Sequence, residues 1–162
     1  MRKPILYMLC GIPASGKTTW AMNFIKKHSD EQKIHYVSRD SIRFELLEPQ
    51  EEYFSHEKDV FHIFFSVIAA FLSTNVDVIA DATHLNKKSR IKLTRAIDTV
   101  FSDYNIIYVY FNIPIEECAR RNAKREGRAR VPETVLEQMY HQYREPHLNE
   151  DMRAIQIWEI RE

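Results

Sequence analysis

The sequence predicts an α/β fold, a mostly parallel five-stranded sheet flanked by helices. Three observations carry it. β-rich runs alternate with helical segments along the chain. A glycine loop joins the first such run to a helix, which is how a strand hands over to a helix in a parallel sheet. Finally, 162 residues is the usual size of one domain around one core.

The elements follow in order. ILYMLC (5 to 10) comes after two basic residues, but its apolar run is short and leads straight into the glycine loop, so it reads as a buried first strand and not as a leader. An amphipathic helix is expected over Thr18 to Lys27, and IHYVS (34 to 38) is the second strand. The acidic stretch 45 to 59 reads as solvated surface. FHIFFSVIAAFL, from Phe61 to Leu72, is too short to cross a bilayer and reads as a core helix. VDVIA (76 to 80), NIIYVYF (105 to 111) and AIQIWEI (154 to 160) supply the remaining strands. Pro114 and Pro132 mark helix starts before IEECARRNAKR and ETVLEQMYHQYRE, because proline's fixed φ suits the first turn.

Composition removes several function classes. Acidic and basic residues cancel, 23 against 23, so no global basic field exists to coat nucleic acid, and any such contact must be local. Basic character is concentrated at 87 to 95 and 120 to 130. Cys10 and Cys118 form no C-x-x-C pair, which argues against a zinc site or disulfide framework and fits a reducing cytoplasm, bacterial or phage-infected. No membrane segment and no protein partner are expected.

The chemistry begins at CGIPASGKTT, where Gly11, Gly16, Lys17 and Thr18 stand at the G-x-x-x-x-G-K-[ST] spacing of a phosphate-binding loop. Backbone N–H groups of Gly11, Ile12, Pro13, Ala14, Ser15, Gly16, Lys17, Thr18 and Thr19, as far as each has one, and the following helix N-terminus would surround the phosphates of ATP or another NTP. Lys17 would reach the β- and γ-phosphates, and the Thr18 hydroxyl would ligate Mg²⁺. A P-loop NTPase fold is therefore expected. A switch GTPase should carry N-K-x-D, but Asn86-Lys87-Lys88-Ser89 lacks the Asp, and a motor ATPase needs more chain. A compact phosphotransferase remains.

Its acceptor side should hold a carboxylate able to take a hydroxyl proton. SRDSIR (38 to 43) puts Asp40 where the second strand ends and a helix begins, at the mouth of the ligand crevice. Arg43, three residues on, shares its helical face and offers a guanidinium to a neighbouring phosphate. The bland alternative is that Asp40 only caps the helix and Arg43 only faces solvent.

GIPASGKTTW, SRDSIR, DATHLN (81 to 86), RRNAKREGRARVP (120 to 132) and VLEQMYHQYRE (135 to 145) together resemble the 5′-kinase domain of phage-type polynucleotide kinase, in the P-loop kinase family, over roughly residues 4 to 145. The resemblance implies transfer of the NTP γ-phosphoryl group to the 5′-hydroxyl of a DNA or RNA end, as in nucleic-acid repair. It implies Lys17, Asp40 and Arg125 as catalytic residues. Asp40 would be the general base, Arg43 would grip the acceptor's adjoining 3′-phosphate, and Thr83 and Val131 would lie on the acceptor side, with Val131 an apolar shelf for the terminal base. Arg121, Arg125 and Arg128 would touch the donor phosphates from an arginine-rich lid at about 122 to 131, and Asp81 would orient magnesium-bound water. Charge physics agrees with a cationic lid, since phosphoryl transfer spreads negative charge over oxygens.

Two departures stand out. Ala82 separates Asp81 from Thr83, and the lid is about one residue longer than the family pattern, so that Arg128 could share or replace the function of Arg125. A single kinase domain over 1 to 162 is expected, with no D-x-D-G-T motif and hence no phosphatase domain. His84 is kept as a candidate acceptor or phosphate contact; Tyr140 and Tyr143 read as packing. The alternatives are a P-loop kinase acting on a small-molecule or tRNA-bound amino-acid hydroxyl, and a nucleotide-dependent binding protein without transfer chemistry.

Overall fold

A computed structural model describes residues 2–162. Strands β1 (Ile5–Cys10), β2 (Ile34–Ser38), β3 (Asp77–Asp81), β4 (Asn105–Phe111) and β5 (Ala154–Ile160) form one sheet in the order β2-β3-β1-β4-β5, every neighbouring pair parallel. Helices α1 (Lys17–His28), α2 (Arg39–Leu46), α3 (Glu57–Ser73), α4 (Lys87–Asp98), α5 (Ile115–Ala123) and α6 (Glu133–Gln142) make the crossovers. This is the P-loop NTPase-like α/β architecture that the sequence predicts.

The pleat explains the near-continuous apolar strands. Leu6, Met8 and Cys10 of β1 face one core, with Phe64, Ile68 and Leu72 of α3 and Leu93 and Ile97 of α4. Tyr7 and Leu9 face the other, with Ala21 of α1, Cys118 of α5 and Leu136 of α6. A strand buried on both faces has no polar alternation to show, so β1 reads as an uninterrupted hydrophobic run, and the middle of β3, Val78 to Ala80, is apolar between Asp77 and Asp81.

Parallel pairing also puts all strand C-termini on one edge. β1 lies centrally, with β3 and β2 to one side and β4 and β5 to the other, so the crevice opens where the chain reverses its direction of winding. Several boundaries differ from expectation, most plainly the core helix, which begins at Glu57 inside the stretch read as solvated surface. β3 starts and ends one residue later than VDVIA, which makes Asp81 its last residue. The last helix stops at Gln142, because Tyr143 turns inward and its hydroxyl donates to the carbonyls of Cys10 and Phe111. Among the described residues no helix is long and apolar enough to cross a membrane.

One buried ion pair fastens the site edge from behind. Arg90 of α4 donates Nε and Nη2 to Glu150 at 2.8 Å each, and its Nη1 donates to the His84 and Arg144 carbonyls. With both partners buried, the pair is held by several further hydrogen bonds, the condition under which a desolvated charge is tolerated.

Candidate active site

The loop between β1 and α1 is shaped for an anion. Ala14 and Gly16 have φ of 65° and 95°, left-handed values that turn successive N–H groups toward one centre. Gly11 is required by space, since a Cβ there would meet Ser15 Oγ at 2.5 Å and Phe111 Cβ at 3.0 Å. Ser15 Oγ is buried without a partner, and Lys17 Nζ folds back onto the carbonyls of Gly11 and Ile12 at 3.0 and 2.9 Å. Burial lowers the Lys17 pKa, partly offset by the Asp81 and Asp40 carboxylates. A buried ammonium held only by carbonyls and an orphaned hydroxyl are groups that phosphate oxygens would satisfy.

Beside the loop, Thr18 Oγ1 donates to Asp81 Oδ2 at 2.9 Å, and the Tyr36 hydroxyl donates to the same oxygen. Burial and the Asp81 charge raise the Tyr36 pKa to about 12, so the phenol stays protonated at neutral pH. One hydroxyl and one carboxylate next to a phosphate site fit Mg²⁺, which keeps most of its water and takes further ligands from the nucleotide. The described residues contain no cluster of three His, Cys, Asp or Glu side chains for a metal held by protein alone.

On the opposite wall the cap of α2 is Ser38, whose hydroxyl accepts from Ser41 N at 3.1 Å. Asp40, in the first turn, is therefore free of capping duty, and its side chain is 62% exposed. Its Oδ1 accepts from Arg43 Nη1 and, at 2.7 Å, from the Tyr53 hydroxyl, which leaves Oδ2 open. Arg43 is not a surface residue: it is 7% exposed, with Nε and Nη2 forked on Glu57 at 2.8 and 2.7 Å. Only Nη1, shared between Asp40 and Tyr53, is left uncommitted to Glu57.

The arginines expected to form a lid divide. Arg121 and Arg125 line a cleft of about 440 Å³ with Ala14, Ser15, Gly16, Thr19 and Trp20. Arg128, expected on the donor, instead donates across the molecule to the carbonyls of Glu48, Pro49 and Glu51. The lid's base is closed by Asn122, whose side-chain amide pairs with both the N–H and the C=O of Val131 at 2.9 and 2.7 Å. Val131 thereby packs against the second core, and Thr83 meets the loop through its carbonyl, which accepts from Gly11 N at 3.0 Å. Arg120 is paired with Glu117 on the solvent side of α5.

His84 is held by the fold through one ring nitrogen, while its Nε2 is buried without a partner. It is buried, takes φ of 42° and pairs through Nδ1 with the Leu9 carbonyl. Burial pushes its pKa down to about 3. At this residue the unfolded chain then holds up to one more proton than the folded chain between about pH 3 and 6.5, so the contribution of His84 to stability falls as pH drops below 6.5, by up to about 1.4 kcal/mol per unit. His84→Asn, which tolerates left-handed φ and offers Nδ2 in place of Nδ1, is expected to flatten that slope in urea titrations between pH 4 and 7. An unchanged slope would place the titrating group elsewhere.

Sequence reasoning missed Tyr36, Tyr53 and Glu57. Tyr36 lies mid-strand and reads as packing, while Tyr53 and Glu57 lie in the acidic stretch taken for solvated surface. The S-x-x-S of SRDS was the available sign that Asp40 is not the cap.

A protein-family profile described as an AAA domain matches residues 6–146. Among solved structures, a chain of the Pnkp1/Rnl/Hen1 RNA repair complex is 26% identical with a TM-score of 0.73, over 88% of this chain and 44% of that one. This chain therefore spans less than half the length of that relative. Kti12 from Chaetomium thermophilum, in complex with ADP-AlF3, is 17% identical with a TM-score of 0.70, over 98% and 89% of the two chains. APS kinase CysC from Mycobacterium tuberculosis, in complex with AMPPNP and APS, is 17% identical with a TM-score of 0.59, over 76% and 70%. The latter two likenesses concern the fold alone.

Proposed function

The chain belongs to the AAA domain family, within the P-loop kinases, and on that premise we propose that it transfers the γ-phosphoryl group of an NTP to the 5′-hydroxyl of a DNA or RNA end. The observation that carries the reading is the Asp40 carboxylate, exposed at the C-terminal edge of β2 with one oxygen committed and the other open. It is supported by the 26% identity to a chain of an RNA repair complex.

In this reading Asp40 Oδ2 receives the proton of the attacking hydroxyl as its oxygen bonds to the γ-phosphorus, while the bond to the β-phosphate bridge oxygen breaks and the nucleoside diphosphate leaves. Tyr53 and Arg43 hold Asp40 in place. Arg43 would meet the acceptor's adjoining phosphate through Nη1 alone, since Glu57 occupies the rest of its fork. Lys17 would exchange its loop carbonyls for phosphate oxygens. Arg121 and Arg125 would close on the donor from the lid, whereas Arg128 would reach it only by releasing the carbonyls it now holds. Thr18, with Asp81 and Tyr36 behind it, would hold Mg²⁺, which when bound neutralises charge on the β- and γ-phosphates.

The test is incubation with γ-labelled ATP, Mg²⁺ and a 5′-hydroxyl oligonucleotide, with a 5′-phosphorylated one as control. Label is expected on the hydroxyl end alone. A preparation that consumes ATP with some other hydroxyl but labels no DNA or RNA end would sink the proposal. A small hydroxylated acceptor is the second reading. It is favoured by the acidic segment that carries Glu48, Glu51 and Glu52, where Arg128 binds the main-chain carbonyls of Glu48 and Glu51, since negative charge there opposes a polyanion.

A further inference from the structure

Next to Asp40 the surface carries an aromatic patch, two of whose rings, Phe44 and Phe54, the transfer chemistry does not use. Phe54 is 54% exposed and Phe44 37%. Tyr53 stands between them, edge-on to each, with ring centroids 6.0 Å from Phe44 and 4.7 Å from Phe54. These rings do not rest on either core of the sheet. They rest on the buried Arg43, whose guanidinium lies 4.5 Å from the Tyr53 centroid and 5.7 Å from that of Phe54. The patch is thus assembled on the same residue that positions Asp40.

The supporting segment is held firmly. Ser55 Oγ donates to the Glu52 carbonyl at 2.7 Å, His56 pairs with Glu51, and Arg128 of the lid binds the carbonyls of Glu48, Pro49 and Glu51. The exposed rings therefore sit on an anchored segment beside Asp40, to which Tyr53 donates at 2.7 Å.

We infer that Phe54, with Phe44 beside it, is a stacking shelf for the nucleobase of the acceptor's terminal nucleotide; the inference rests on the reading of this chain as a kinase of nucleic-acid ends. A 5′-hydroxyl delivered to Asp40 brings its own base one sugar ring away, and an exposed phenyl beside that carboxylate offers the base a π-face. Charge argues for the base and not the strand: Glu48, Glu51 and Glu52 on the same segment repel phosphates, whereas a neutral flat ring is indifferent to them. Because every base has a π-face, the shelf gives affinity with little base preference.

The test compares two oligonucleotides with the same 5′-hydroxyl and 3′-phosphodiester, one carrying a terminal base and one abasic at that residue. The parent protein is expected to show an acceptor KM about 10-fold lower for the base-bearing end. Phe54→Ala should remove most of that difference, Phe54→Trp should keep it, and Phe44→Ala should weaken it, with the KM for ATP unmoved in all three. The loss should fall on acceptor KM more than on kcat, as for binding equal in ground and transition states. Equal use of both ends by the parent, or a preference that survives Phe54→Ala, would overturn the shelf while leaving end phosphorylation intact. So would a Phe54→Ala variant altered only in oligomeric state, which would mark the patch as a protein interface. Failure of the parent to phosphorylate either end would overturn the kinase reading and the shelf with it.

Discussion

Asp40→Asn is expected to slow phosphoryl transfer to a 5′-hydroxyl end by about 10²- to 10⁴-fold, the usual weight of a positioned general base. The substitution conserves shape. The amide oxygen can still accept from Arg43 and Tyr53, so the local geometry survives, but the group at the Oδ2 position becomes an N–H donor that cannot take a proton. Because Asp40 lies across the crevice from the phosphate loop, affinity for a non-hydrolysable NTP should change little. Single-turnover rates together with calorimetric titration of that analogue separate the two effects. Transfer at the parent rate would remove Asp40 from the chemistry and leave it a solvent-facing residue of α2.

Lys17→Met carries the second large effect, a fall in turnover of about 10²- to 10³-fold, comparable to removing one preorganised donor from a developing oxyanion. Met matches the stem of Lys in length and removes the ammonium with its hydrogen bonds to the Gly11 and Ile12 carbonyls. Stability supplies an independent readout with its sign fixed by burial. The Lys17 pKa is lowered in the folded chain, so the folded state bears a cost for keeping the ammonium charged below its unfolded pKa. The Met variant should therefore melt at the parent temperature or above it in the absence of nucleotide, and it should lose the stabilisation that saturating NTP gives the parent. A variant that melts lower yet keeps its activity would assign Lys17 to the fold, as a tie between α1 and the Gly11 and Ile12 carbonyls.

Both residues were legible because each belongs to a short contiguous pattern. G-x-x-x-x-G-K-T fixes its chemistry within eight positions, since a strand, a tight loop and a helix N-terminus can be arranged in only one useful way around phosphate. The five strands were legible for a similar reason: a parallel sheet covered on both faces needs apolar runs, and those runs are visible. Arg43 was found in position but not in environment. Its spacing from Asp40 put both on one face of α2, yet nothing local indicated that Glu57 would bury and fork it.

The sequence by itself determined the α/β class, the phosphate loop, the placement of Asp40 at the end of β2 and the family resemblance, all properties of neighbours along the chain. Only the tertiary structure decided which partners complete them: Tyr36 on Asp81, 45 residues apart, Tyr53 on Asp40 across the turn after α2, and Arg128 on the Glu48 carbonyl, 80 residues away. It also showed that His84 is buried, with Nδ1 tied to the Leu9 carbonyl and Nε2 without a partner. The physical reason is that a side chain's role follows its solvation and its hydrogen-bond partners. In a parallel sheet whose strand order is not the chain order, those partners come from loops that crossovers bring to one edge, and local spacing does not encode that proximity.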